Sequence, residues 1–161
     1  MKYPTKYYSS KQEKMIADYL GWSVVVASGA RPFNPGDIKS NDYLCECKTH
    51  TSEQKRISIK KSVWNKISIE AMSTFKKPAL FVDNGTQKAD DTWCIIRKPC
   101  YFTNGIYVGL QGGIRESETQ ISFDHSAFKS FLSDKQCAEI CINGESLILM
   151  KLKTFKTLIE E

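Results

Sequence analysis

Asp37, Glu46 and Lys48 are the residues of this 161-residue chain whose types and spacing could do chemistry. Glu46 and Lys48 stand two apart in Tyr43 to Thr49, a stretch that reads as a strand. In a strand they project from one face together with Leu44, and Cys45 and Cys47 point to the other. Asp37 opens the short strand Asp37-Ile38-Lys39, and Ser40-Asn41-Asp42 supplies a tight turn between the two. An antiparallel neighbour places Asp37 beside Glu46 and Lys48. Two converging carboxylates repel, and a divalent cation relieves that repulsion. All-oxygen ligands suit Mg²⁺, with Mn²⁺ as a substitute. Such an ion can hold a phosphate oxygen, orient a water and stabilise the charge of phosphodiester cleavage. Lys48 can orient that water or stabilise charge at phosphorus. A D…E-x-K match by itself is commonly an exposed ion pair, so the flanking sequence decides its weight.

That sequence is basic. The net charge is +5, and residues 48–77 hold eight Lys/Arg against two Asp/Glu. A concentrated basic stretch next to paired carboxylates fits a polyphosphate partner, with DNA the expectation. Lys55, Arg56, Lys60 and Lys61 are the candidate phosphate contacts, with a solvated helix face as the competing reading.

The elements that must position these residues follow from periodicity. Ser10-Lys11-Gln12-Glu13 has the spacing of a capping box and opens a helix with the apolar stripe Met15, Ile16, Tyr19 and Leu20, ended by Gly21. Trp22 to Ala27 reads as a strand buried on both faces. Ser28 to Gly36 is a loop. Ile57-Ser58-Ile59 is short and extended. Lys60 to Lys76 reads as a helix with Val63, Trp64, Ile67, Ala71, Met72 and Phe75 on one side, and Pro78 stops it. Ala79 to Val82 is a buried strand, followed by the turn Asp83-Asn84-Gly85. Thr92 to Arg97, Ile106 to Leu110 and Leu147 to Leu152 read as strands, Gln111-Gly112-Gly113 as a turn, and Ile121-Ser122-Phe123 as extended. Asp124 to Leu132, Asp134 to Cys141 and Thr154 to Glu161 read as helices. The class is α/β, a mixed central sheet flanked by helices. The polar break at residues 84–91 divides a core over 1–85 from a C-terminal α+β extension over 86–161 that completes the same domain and serves recognition or dimerisation.

Gly36-Asp37-Ile38 and Glu46-Cys47-Lys48, in this setting, resemble the PD-(D/E)XK nuclease superfamily, most closely its archaeal-type and phage Holliday junction resolvases. The order Glu13, Trp22 to Ala27, Ser28-Gly29, Asp37-Ile38, Glu46-Cys47-Lys48 and Arg56 to Lys61 matches theirs over about residues 8–84. The resemblance implies a restriction-endonuclease-like core and Mg²⁺-dependent cutting of four-way DNA junctions by a homodimer. It implies that Asp37, Glu46 and the carbonyl of Cys47 ligate the metal, that Lys48 is the catalytic lysine and that Glu13 is an auxiliary acid. Ser28 would sit near the scissile phosphate, with Gly29 and Arg31 in the same DNA-facing loop. Relatives often carry a glutamine in the helix after the E-x-K strand, and here Ser62 and Val63 occupy the best-matching positions. Restriction-type or exonuclease activity on the same core, or DNA binding without catalysis, are the alternatives.

Several residues keep two readings. Glu13 either caps a helix or serves the site. Ser28 and Gly29 either contact DNA or form a turn. Arg31 and Phe33 either enter DNA or pack their loop. Trp64 matches the apolar spacing and reads as core. His50 reads as exposed and His125 as structural. Tyr3, Tyr7 and Tyr8 with Lys2 and Lys6 form an aromatic and basic N-terminal arm. No apolar run approaches the ~18 residues a membrane span needs. The N-terminus lacks the apolar stretch of a secretory signal. With no C-x-x-C pair, the six cysteines read as reduced thiols in the cytoplasm.

Overall fold

The computed structural model describes residues 2–26, 35–99 and 113–161, and the backbone of residues 107–108. Its elements in chain order are α1 (Thr5–Leu20), β1 (Ser23–Val24), β2 (Ile38–Lys39), β3 (Tyr43–Lys48), β4 (Arg56–Lys60), α2 (Lys61–Ser73), β5 (Lys77–Asp83), β6 (Thr92–Arg97), β7 (Tyr107–Val108), β8 (Ile114–Glu116), β9 (Gln120–Asp124), α3 (His125–Phe131), β10 (Cys137–Ile142), β11 (Glu145–Lys151) and α4 (Leu152–Glu160). A 3₁₀ turn at Ala89–Asp91 precedes β6.

The class is α/β with a mixed central sheet. Eight strands run in the order β1-β2-β3-β5-β6-β11-β10-β7, and β4-β9-β8 form a second, three-stranded sheet. β3 and β5 pair in parallel, Glu46 opposite Leu80, because α2 lies between them in the chain and carries it back across one face. β5-β6 and β6-β11 pair antiparallel, so the large sheet continues past residue 85 without a break.

Strand alternation sorts the side chains into two cores. Leu44, Leu80 and Val82 join Trp64, Ile67 and Ala71 of α2 and Ile57 and Ile59 of β4 on one face. Cys45, Cys47, Ala79 and Phe81 join Ile16 and Ala17 of α1 and Leu152 and Phe155 of α4 on the other. Trp64 is fully buried. His125 is buried too, accepting at Nδ1 from Trp93 Nε1 (3.0 Å) and facing Asp91 Oδ1 through Nε2 (3.2 Å), a structural role. Trp93 can only donate, so Nδ1 is unprotonated and Nε2 carries the hydrogen.

Four expectations are corrected. The first helix starts at Thr5, after Pro4, rather than at Ser10, and no side chain caps it. The run from Trp22 is not a strand buried on both faces. Among its described residues only Ser23 and Val24 form a strand, and both are exposed because β1 sits at the sheet edge. α2 begins at Lys61 and stops at Ser73, leaving Met72 67% and Phe75 98% exposed instead of on the buried stripe. Its end is closed by Lys76 N–H on Ala71 O (2.9 Å) and Phe75 N–H on Met72 O (3.2 Å), with Phe75 left-handed at φ 58°. Residues 134–141 are not helical: Cys137–Ile142 form β10, hairpinned to β11.

Ser28, Gly29, Arg31 and Phe33 lie outside the described residues, as do the end of the first expected strand at Ala27, most of the strand at 106–110 and residues 111–112 of the turn after it. No described helix is long and apolar enough to cross a membrane. The described cysteines, Cys45, Cys47, Cys94, Cys137 and Cys141, are free thiols.

Candidate active site

Three elements meet at the C-terminal end of β3. The β2–β3 register sets Ile38 opposite Cys45, and Asp37 extends it by donating its N–H to Cys45 O (2.7 Å). Asp37 Oδ2 accepts the Cys47 N–H at 2.9 Å, which fixes the carboxylate in the plane of the sheet. In a strand, the N–H and C=O of one residue point to the same edge. The Cys47 carbonyl therefore faces the edge that Asp37 occupies. Glu46 projects onto the α2 face, is only 6% exposed, and receives the Lys48 ammonium at 3.3 Å. The structure thus brings Asp37, Glu46 and Lys48 together, as strand periodicity requires.

Glu13 joins them from the opposite face. α1 packs over Cys45 and Cys47, so its residues reach the strand end from the side away from α2. With α1 starting at Thr5, Glu13 lies in the helix interior and caps nothing. Burial pushes its carboxyl up to about 7, with the charges of Asp37 and Glu46 adding to the rise and Lys48 and Lys6 opposing it. Burial also raises Asp37, against the Cys47 N–H and the Lys48 and Lys66 ammoniums. Glu46 is raised by burial and then by Asp37, again against Lys48 and Lys66. Three carboxyl groups raised by burial, with Asp37 acting on Glu46 and both acting on Glu13, are poised for a compensating cation.

The sequence reading missed three contributors. Gln12 is fully buried on α1 and donates Nε2 to the carbonyl of Lys48 at 2.7 Å, tying the helix to the strand end. Its Oε1 has no hydrogen-bond partner among the described residues. Lys66 and Glu70 come from α2, an i,i+4 pair at 3.6 Å. Glu70 also accepts the Gly36 N–H at 3.1 Å, which anchors the backbone just before Asp37. α2 therefore presents Lys66 to the carboxylates rather than Ser62 or Val63. The available signal was a Lys–Glu pair flanking Ile67 on the edge of the apolar stripe.

The remaining candidates divide. Arg56 donates Nη2 to Ser122 Oγ (3.2 Å), and Lys61 pairs with Glu116 at 2.7 Å, both across the small sheet. Lys55 and Lys60 are exposed. Lys60, His50 and Lys48 border a cleft of about 240 Å³, with Leu80 and Val82 among its walls. His50 is exposed, as expected.

The donor set fits a hard divalent ion: carboxylates of Asp37 and Glu46 and the Cys47 carbonyl, with Glu13 nearby. Among the described residues, no three His, Cys, Asp or Glu side chains alone close around a metal position. Main-chain oxygen and solvent are then needed to complete the shell, as is usual for Mg²⁺.

A stability prediction follows for the metal-free protein. Glu13 titrates near 7 when folded, against an ordinary 4.5. Its contribution to stability is fully present below the unfolded value and is lost as pH rises through the folded one. In chelator, Glu13→Gln is therefore expected to melt higher than wild type at pH 8 and level with it at pH 4.5. Allowing for solvent screening of a half-exposed group, the gain is on the order of 1 kcal/mol. Thermal melts of both proteins at the two pH values check it, and a variant that is equally stabilised at both has lost something other than a titrating charge.

Comparison of the chain with protein-family models, with curated proteins and with solved structures finds no match.

Proposed function

We propose that this protein is a metal-dependent DNA endonuclease with Asp37, Glu46, Lys48 and Glu13 as its site. The observation that carries the reading is the convergence of two carboxylates fixed by β2 and β3 with a lysine on the same strand and a third acid from α1. Asp37, Glu46 and the Cys47 carbonyl would hold Mg²⁺ or Mn²⁺, which when bound supplies Lewis-acid stabilisation of phosphate charge and an acidified water. Lys48 holds its ammonium over Glu46, where it meets the charge that develops on the phosphate. Glu13, with a proton affinity near neutral, accepts or returns a proton at the edge of the site. Gln12 and Glu70 are positioning residues. The first locks the carbonyl of Lys48, and the second locks the amide of Gly36. Lys60 and Lys66 add the positive field that draws a phosphate backbone in.

The finer reading takes the sheet and its α1 and α2 faces as a restriction-endonuclease-like core acting in the cytoplasm. The four-way junction is the substrate implied by the sequence resemblance, and symmetric cutting of two strands requires a homodimer with two such sites. Incubation with labelled four-way junction, linear duplex and single strand, with Mg²⁺ and with chelator, tests both levels. Mg²⁺-dependent cutting that favours the junction is expected. Equal rates on all three remove the junction, and binding without cutting of any of them overturns the nuclease.

A further inference from the structure

The N-terminal tyrosines are not an extended arm. Tyr3 and Tyr7 stack at 4.2 Å between ring centroids and 20° between planes, and Tyr8 packs edge-on against both. Neither core includes them. Tyr3, just before α1, is 51% exposed, and Tyr7, in its first turn, is 44% exposed. The three rings gather outside either core, and Tyr3 and Tyr7 are open to solvent. Lys2, Lys6 and Lys11 flank these tyrosines in sequence, all exposed, and no acidic residue precedes Glu13 in the chain. Lys6 stands two helical turns from Glu13 on the same face and acts on its charge. At 1.5 Å per residue the two are about 10 Å apart along the axis. A stacked DNA strand covers that in about three nucleotides at ~3.4 Å each.

We propose that Tyr3 and Tyr7 form a stacking platform for an unpaired base of a DNA strand that runs from the Asp37–Glu46 site along α1, with Lys6 on its phosphates. The proposal rests on the nuclease reading for the strand's direction. The occupant is argued from charge and shape: exposed aromatic faces set among ammonium groups are what binds single-stranded nucleic acid without sequence preference. Paired DNA offers no free base face, so the platform favours substrates with unpaired nucleotides beside the cut.

Fluorescence anisotropy in chelator, with oligodeoxythymidylate and with a duplex of equal length, tests it. Tyr3→Leu/Tyr7→Leu is expected to lose about tenfold or more in affinity for the single strand, the range of one stacked base, and less than about twofold for the duplex, where only phosphate contacts act. Tyr3→Phe/Tyr7→Phe keeps the rings and is expected to bind as wild type. Unchanged single-strand affinity in the leucine variant overturns the platform, and so does an equal loss on both DNAs or an equal loss with phenylalanine. A shift from dimer to monomer in the leucine variant, with oligodeoxythymidylate affinity intact, overturns it in favour of a self-association surface. Ring-dependent binding by a wild-type protein that cuts nothing leaves the platform standing and removes the nuclease alone.

Discussion

Asp37→Asn is expected to lower cleavage about a thousandfold or more while leaving DNA binding in chelator unchanged. The size follows from removing one carboxylate of a metal site whose ion supplies several kcal/mol of transition-state stabilisation, at 1.36 kcal/mol per decade of rate. The fold should survive, because the Asn carbonyl can accept the Cys47 N–H that Asp37 Oδ2 accepts at 2.9 Å. Stability in chelator should rise. Burial raises the Asp37 carboxyl against the Cys47 N–H and the Lys48 and Lys66 ammoniums, and amide substitution removes a charge that the folded state disfavours. Added Mg²⁺ should then stabilise wild type by mass action and the variant hardly at all. Rates on labelled DNA and thermal melts with and without Mg²⁺ measure the three effects together. A variant that cuts as wild type does places the chemistry elsewhere in the chain. One that loses activity and also melts lower has lost its fold rather than its ligand.

The parts of this site carried by local periodicity were legible in the sequence, and those carried by docking were not. Alternation along Tyr43–Lys48 is a property of any strand, so Glu46 and Lys48 had to share a face and Asp37 had to lie near them. Glu13 divided between two readings because a capping box is a local signal too. Pro4 argued for an earlier start, since proline suits the entrance of a helix. Lys66 and Glu70 depend on how α2 lies across β3 and β5, and no spacing within the helix encodes that angle. The C-terminal half shows the same limit. Cys137, Ala138 and Ile140 suit a helix face as well as a strand, and pairing with β11 decides for the strand. Asn143-Gly144, both with positive φ, form the two-residue turn of that hairpin, a signal the sequence did offer.

Gly85→Ala is expected to destabilise the protein by about 3 kcal/mol or more, a drop on the order of 10 °C in melting temperature. Gly85 has φ +101°, and a Cβ built there lies 2.1 Å from the carbonyl oxygen of Ser52. That neighbour is main chain and cannot swing away. The segment it belongs to is itself pinned. Asp83 accepts from Thr49 Oγ1, Gly85 N–H (3.1 Å) and Gln87 N–H (2.8 Å). Gln87 Nε2 donates to Thr49 Oγ1 (2.9 Å) and to the carbonyl of His50 (3.0 Å), and Gln54 N–H reaches Asn84 O (2.6 Å). Relief of the clash therefore breaks hydrogen bonds around Asp83, which is 1% exposed, so the groups left behind have little access to water. Gly144→Ala separates the terms: its φ is +78° but a Cβ there meets nothing within 4 Å, so only the left-handed cost of about 1–2 kcal/mol remains. The consequence reaches the site through the chain, since Thr49 and His50 directly follow Lys48. Cleavage by Gly85→Ala, measured well below its melting temperature, should fall with Lys48 displaced, whereas Gly144→Ala should cut as wild type does. Equal melting temperatures for the two variants would mean that the 83–87 turn does not press on the 49–54 segment, and that the β3–β5 pairing and Gln12 suffice to hold the strand end carrying Lys48.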